Sequence, residues 1–175
     1  MYIHIIKNLK NKYLRRKDII QYWKKQGAKI GENCSIDSTS SLGSEPYLIT
    51  IGNYVRINAG VRFITHDGGV WVLRNINENL RDIDLFGKIE IGDNVHIGTN
   101  VIIMPNVKIG SNVIIGCGAI VTKDVPNNSI AIGIPARIIE TIDEYHEKHK
   151  YDFEHTKFLS QEQKKDYLKK LYKGD

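Results

Sequence analysis

Residues 91–126 read IGDNVH IGTNVI IMPNVK IGSNVI IGCGAI VTKDVP, six consecutive units of six residues in unbroken register. The first position is always aliphatic (Ile91, Ile97, Ile103, Ile109, Ile115, Val121), the fifth always Val or Ala (Val95, Val101, Val107, Val113, Ala119, Val125), and Gly fills the second in four of the six. A helix repeats every 3.6 residues and a strand every two, so neither sustains this pattern. A period of six kept for this long predicts a stacked solenoid. The unit has a simple physical logic. A short strand of about four residues and a tight turn fill six positions, the first and fifth side chains point inward, and Gly, Asn or Asp relieve the turn.

Working outward, the hexads begin at Ile30 with IGENCS, IDSTSS and LGSEPY. Leu48, Ile49 and Thr50 read as three inserted residues before IGNYVR, INAGVR and FITHDG. Twelve aligned units supply about a dozen inward aliphatics, each contributing roughly 1.5–3 kcal/mol on burial against the entropy of ordering the backbone. Residues 69–88, GVWVLRNINENLRDIDLFGK, obey no hexad. They make 67–88 an excursion loop, and such loops tend to carry function. After Pro126 the pattern decays.

Both ends read as helical. Over 5–26, Ile6, Leu9, Tyr13, Ile20 and Trp23 recur at helical spacing until Gly27. With Arg15, Arg16, Lys17, Lys24 and Lys25 on its other side, this helix either rests on an acidic membrane surface or caps the solenoid's end, and the cap is the expected role. Thr141–x–x–Glu144 and Ser160–x–x–Gln163 are capping boxes that start helices at about 141–150 and 161–172, the second with Tyr167, Leu168 and Leu171 on one face. The organisation is therefore a basic N-terminal helix (1–29), the repeat body (30–140) and a C-terminal helical segment (141–175).

Composition sets bounds. The chain has 175 residues, 41% hydrophobic and 26% charged, as in ordinary globular proteins. No apolar run approaches the length of a membrane span, and the N-terminus lacks the long apolar stretch and cleavage site of a signal peptide. Cys34 and Cys117 lie far apart within repeats and do not suggest a disulfide framework, so a cytoplasmic location is expected. Net charge +5 and pI 9.1 arise at the termini: residues 7–29 carry eight or more Lys and Arg, and 164–173 add five Lys. The repeat body is nearly neutral and lacks the interleaved basic and aromatic residues of a nucleic-acid binder.

The hexads, together with TKDVP at 122–126 and GIPAR at 133–137, resemble the hexapeptide-repeat acyltransferases, and in particular the O-acetyltransferases of sugars and surface polysaccharides related to galactoside, maltose and streptogramin acetyltransferases. The resemblance implies a mainly β fold, a left-handed parallel β-helix with three hexads per triangular coil. That handedness runs against the general rule for parallel crossovers and comes from the resemblance alone. Also implied are a homotrimer with active sites between adjacent subunits, acetyl-CoA as donor, a sugar or polysaccharide hydroxyl as acceptor, and no metal. N-acetylation of an amino sugar or nucleotide sugar, and a non-catalytic trimeric scaffold, remain as alternatives.

Moving an acetyl group from a thioester to a hydroxyl calls for a general base, which a neutral imidazole supplies near pH 7. Of six histidines, His4, His146, His149 and His155 lie in terminal segments, leaving His66 and His96 in the repeats. His66, in FITHDGG at the root of the loop, matches the family's catalytic histidine, which is implied to deprotonate the acceptor without an acyl-enzyme. His96, at the sixth position of its hexad where relatives carry an aromatic, either packs or contacts the thioester end of CoA. By the same resemblance Gly98 and Thr99 surround the oxyanion donors. Thr99 and Gly116–Cys117–Gly118 line the pantetheine path, with Cys117 as lining and not as nucleophile, and Lys123 and Arg137 face the nucleotide phosphates. Acceptor specificity falls to the loop. Trp71 either stacks on a sugar or anchors the loop, and Asp67, Arg74 and Asp84 are candidate acceptor contacts. Asp67 is a poor candidate for orienting His66, because adjacent residues rarely face each other.

Overall fold

The computed structural model describes residues 14, 15 and 17–173. Its body is a parallel β-helix with three sheets. The first stacks β1 (Lys29–Ile30), β3 (Ile49–Ile51), β6 (Ile89–Ile91) and β9 (Lys108–Ile109). The second runs β2 (Ser35–Ile36), β4 (Arg56–Ile57), β7 (Val95–Ile97), β10 (Val113–Ile115), β12 (Ser129–Ile132) and β13 (Arg137–Thr141). The third holds β5 (Arg62–Phe63), β8 (Ile102–Ile103) and β11 (Ile120–Val121). Every pairing is parallel except β12 with β13, an antiparallel pair that ends the second sheet.

The inward columns follow the hexads. All twelve first-position residues, from Ile30 to Val121, are buried, and the fifth-position Val55, Val61, Val95, Val101, Val107, Val113 and Ala119 lie between them. Turning sharply between strands requires left-handed backbone, which Asn tolerates and most residues resist. Asn33, Asn94, Asn112 and Asn128 all have φ between 54° and 58° at the corner between the first and second sheets, and Tyr54 takes the same conformation at φ 56°. Side-chain amides chain upward there, Asn94 to Asn112 and Asn112 to Asn128, each at 2.9 Å.

Two sequence expectations need correction. Ile49 is a core residue, fully buried and in register with Ile89, so it cannot belong to an insertion. The extra residues are absorbed between Glu45 and Leu48, in a 3-10 turn over Pro46–Leu48. At the root of the excursion Asp67 N–H donates to Leu85 O and Gly87 N–H to Thr65 O, both at 2.8 Å, and the wall resumes at Ile89. Finally, the N-terminal helix is not continuous over 5–26. Asp18 is extended (φ −150°) and caps a separate helix, α1 (Ile19–Lys25), by accepting from Gln21 N–H. The portion over residues 5–13 lies outside the described residues. Trp23 of α1 is 4% exposed and joins the core with Ala28, Ile30 and Ile36.

Inside the excursion lies α2 (Val70–Ile76), a helix where the broken repeat predicts only a loop. β13 ends at Thr141, and α3 (Ile142–His149) begins at the next residue. A second compact unit starts at Glu144 and contains α4 (Gln161–Leu171). The Ser160 capping box is formed, with Ser160 Oγ accepting from Gln163 N–H and Gln163 Oε1 from Ser160 N–H. Tyr167 hydroxyl bonds the Glu154 carboxylate. Among the described residues no helix is long and apolar enough to cross a membrane.

Candidate active site

His66 sits where the third sheet turns toward the first, one residue past Thr65 and opposite Phe86 in a single antiparallel bridge. The stacking brings one residue beside it from the preceding coil. Ser41 pairs with Arg62 in that coil, and the same offset of 21 residues carried to the corner sets Glu45 against His66. Glu45 Oε2 lies 3.0 Å from His66 Nδ1 and 2.6 Å from the Thr65 hydroxyl, which is fully buried and donates to it. Burial alone would raise the Glu45 carboxyl. The hydrogen bonds from Thr65 and His66, and the latter's charge, outweigh it and hold Glu45 below the ordinary glutamate value.

An ionised carboxylate at that distance calls for the proton on Nδ1, so whenever the ring is neutral Nε2 carries the lone pair. The ring is half-exposed, at 48%, and packs edge-on to Phe86 with centroids 6.4 Å apart. This is the arrangement of a base held in one tautomer by a carboxylate. The sequence reading missed Glu45, although an acid beside an interrupted hexad one coil before His66 was the available signal.

The four loop candidates gather with His66 around one cleft of about 330 Å³, lined by Glu45, His66, Asp67, Trp71, Arg74 and Asp84 among others. Their partners differ from simple acceptor contacts. Asp67 Oδ1 accepts from Gly69 N–H at 2.7 Å, which shapes the loop entrance. Arg74 pairs with Asp84, and its Nε donates to Ile83 O at 2.8 Å, tying α2 to the returning part of the loop. Trp71 is 68% exposed beside them.

The other candidates stand apart from this cleft. Gly98, Thr99, Gly116, Cys117 and Gly118 stack at the corner between the second and third sheets, at the opposite end of the third sheet's strands from His66. Gly98 N–H donates to Ile115 O and Gly118 N–H to Thr99 O, both at 2.8 Å, which removes the Gly98 N–H as an oxyanion donor. A Cβ at Gly98 would meet Cys117 N at 2.6 Å, and one at Gly116 would meet Ile132 Cγ2 at 2.6 Å. Their glycines serve coil stacking. Of these three glycines Gly118, with φ +71°, is the one where a Cβ would project into open space, beside exposed Cys117. That is where an extended chain has room to lie.

Lys123 and Arg137 line a common cleft of about 220 Å³. Lys123 follows β11 at the same corner as His66, two coils higher, which is roughly 10 Å at the ~4.8 Å spacing of stacked strands. His96 is in register with Arg56 and Ile114 on the outer face of the second sheet. Burial first, and then the charge of Arg56, hold its imidazole below the ordinary value and keep it neutral at pH 7.

Residues 88–123 match the bacterial transferase hexapeptide (six repeats) family. Protein CapG of Staphylococcus aureus is 46% identical over 153 residues, covering 86% of this chain and 87% of CapG. Among solved structures, a maltose O-acetyltransferase from Clostridium difficile 630 is 25% identical, covers 81% of this chain and 89% of its own, and superposes with a TM-score of 0.57. A Vibrio cholerae hexapeptide-repeat acetyltransferase solved with acetyl coenzyme A is 26% identical with a TM-score of 0.55, over 66% of this chain and 60% of that one. Soybean serine acetyltransferase is 30% identical with a TM-score of 0.50 over 65% of this chain, which spans only 40% of that protein.

Proposed function

The chain belongs to the hexapeptide-repeat acyltransferases, and we propose that it moves the acetyl group of acetyl-CoA to a hydroxyl of a sugar or surface polysaccharide, with His66 as general base. The observation that carries this reading is the Thr65–Glu45–His66 chain of hydrogen bonds at the root of the loop, opening on a cleft of about 330 Å³. Such a cleft has room for one sugar ring, and a base with a fixed tautomer needs no further activation near neutral pH.

The steps follow from the groups present. Nε2 of His66 accepts the proton of the acceptor hydroxyl as its oxygen attacks the thioester carbonyl. Glu45 stabilises the imidazolium that forms. The tetrahedral oxyanion is met by a backbone N–H, for which Thr99 is the candidate. On collapse the carbon–sulfur bond breaks, and the imidazolium returns its proton to the departing thiolate. Acceptor and CoA react directly, so Cys117 has no covalent role.

Within one chain, His66 and the Thr99–Gly118 corner lie at opposite ends of the same strands, on two different edges. A homotrimer resolves this, with the corner of one copy facing His66 of the next. Lys123 and Arg137 then hold the nucleotide phosphates by fixed charge, and pantetheine runs past Gly118. Two free cysteines fit a cytoplasmic setting.

The reading is tested by following thiol release from acetyl-CoA against a panel of sugars, nucleotide sugars, serine and streptogramins. Release that depends on a sugar hydroxyl is the expected result. Release with serine alone, or with no member of the panel, would remove the reading.

A further inference from the structure

Two adjoining clefts in the loop share Trp71 and Arg74 but differ in charge. The one at His66 carries the carboxylates of Glu45, Asp67 and Asp84. Its neighbour, about 310 Å³, is lined by Trp71, Arg74, Asn75 and Arg81, two guanidinium groups with no carboxylate in the lining. Arg74 is committed to Asp84 and Ile83. Among the described residues Arg81 is held by Glu78 alone, three residues away at 2.9 Å, with side chains 71% and 86% exposed. A pair that open to water contributes little and yields easily to a better partner. Arg81 therefore presents a planar fork suited to a carboxylate or phosphate.

We infer that the acceptor is a sugar carrying an anionic substituent, a carboxylate or a phosphate, which Arg81 binds in the second cleft while the reacting hydroxyl reaches His66. The inference rests on the loop cleft being the acceptor site. Charge alone gives the orientation. An anion placed at the His66 side would face the carboxylates of Glu45, Asp67 and Asp84 with Arg74 alone to offset them, whereas one across Trp71 meets Arg81 as well as Arg74 and no lining carboxylate. The Trp71 ring between the clefts offers the sugar an apolar platform. An acid-lined catalytic end and a cationic far end together admit the ligand one way round, and like charge rejects the reverse.

Binding can be read without turnover. The chain has two tryptophans; Trp23 is 4% exposed and Trp71 68%, so quenching of the red-shifted emission reports Trp71. Full-length wild-type protein, without acetyl donor, is titrated with glucuronate, glucose 1-phosphate and glucose. One or both anionic probes are expected to bind roughly tenfold or more tightly than glucose, and Arg81→Gln to abolish that preference while the melting temperature holds. Preference for glucuronate or for glucose 1-phosphate identifies which anion the site takes. Equal affinity for all three, no quenching by either anion at millimolar concentration, or a preference that survives Arg81→Gln overturns the inference. Failure of thiol release from acetyl-CoA would remove the transferase reading on separate grounds, because these titrations contain no donor.

Discussion

The wall from Ile89 to Val125 and the stretch from Glu45 to Gly87 are built on the same coil, yet they behave oppositely. Within the wall β9, β10 and β11 each pair with the strand 18 residues earlier, as Ile109 with Ile91, Ile115 with Ile97 and Val121 with Ile103, and the inward residues are buried. In the other stretch the coil is broken twice, by the 3-10 turn at Pro46–Leu48 and by the excursion from Asp67 to Leu85. Both breaks fall at the same corner in successive coils. The lesson is that the regular coils bury the inward columns, and that the paired departures assemble the proposed site: the first delivers Glu45, the second leaves His66 at its root and builds the cleft around it.

The division can be tested by pairing substitutions. His66→Ala should lower kcat by ~10²–10⁴, the usual contribution of a positioned acid–base group, with the melting temperature essentially kept, because His66 is half-exposed. Ile103→Ala should do the reverse, costing about 2–5 kcal/mol of stability as a cavity opens in a fully buried column, read as a lower urea midpoint. Its effect on kcat should be small wherever the protein remains folded. A stability loss from His66→Ala comparable with that of Ile103→Ala would erase the distinction between wall and break.

Glu45→Gln should reduce kcat by about ten- to a hundredfold through loss of the tautomer it fixes, with less effect on KM. It also carries a pH signature. The Glu45 carboxyl is held below its ordinary 4.5, so the stability it contributes is fully present above that pH and is lost as pH falls toward the lower folded value. Unfolding measured between about pH 3 and 5 should therefore be less acid-sensitive in Glu45→Gln. His96 has the same sign in a higher window. Its folded value lies below the ordinary 6.5, so its contribution fades as pH drops below 6.5, and His96→Phe should flatten the stability profile there. The smallest effect belongs to Tyr54. It occupies the left-handed corner position that Asn takes in the other coils, and Tyr54→Asn should raise stability by about 1 kcal/mol, a rise of a few degrees in melting temperature.

Much of this was legible in the residues. The period from Ile91 to Pro126 set the strand length, the inward columns and the position of His66 at the point where repetition stops. The loop candidates Asp67, Trp71, Arg74 and Asp84 were legible as a group, because they share one short excursion, but their partners were not. Arg74 bonds Asp84 and a carbonyl, and Asp67 shapes the turn, arrangements that depend on how α2 folds back.

Glu45 shows most plainly where sequence reasoning ends. Hexad spacing determines which side chains point inward, because burial of one aliphatic per turn is a local requirement repeated along the chain. Which residues meet at a corner depends on the offset between coils, and that offset equals the repeat plus whatever the turns absorb. Read in sequence, the three surplus residues fall at 48–50, and Glu45 and His66 both take the fourth position of their hexads, but the spacing does not say which side chains turn toward each other at the corner. The stacking of Ile49 on Ile89 moves the surplus into the turn between Glu45 and Leu48, and the folded corner brings the Glu45 carboxylate against the His66 ring.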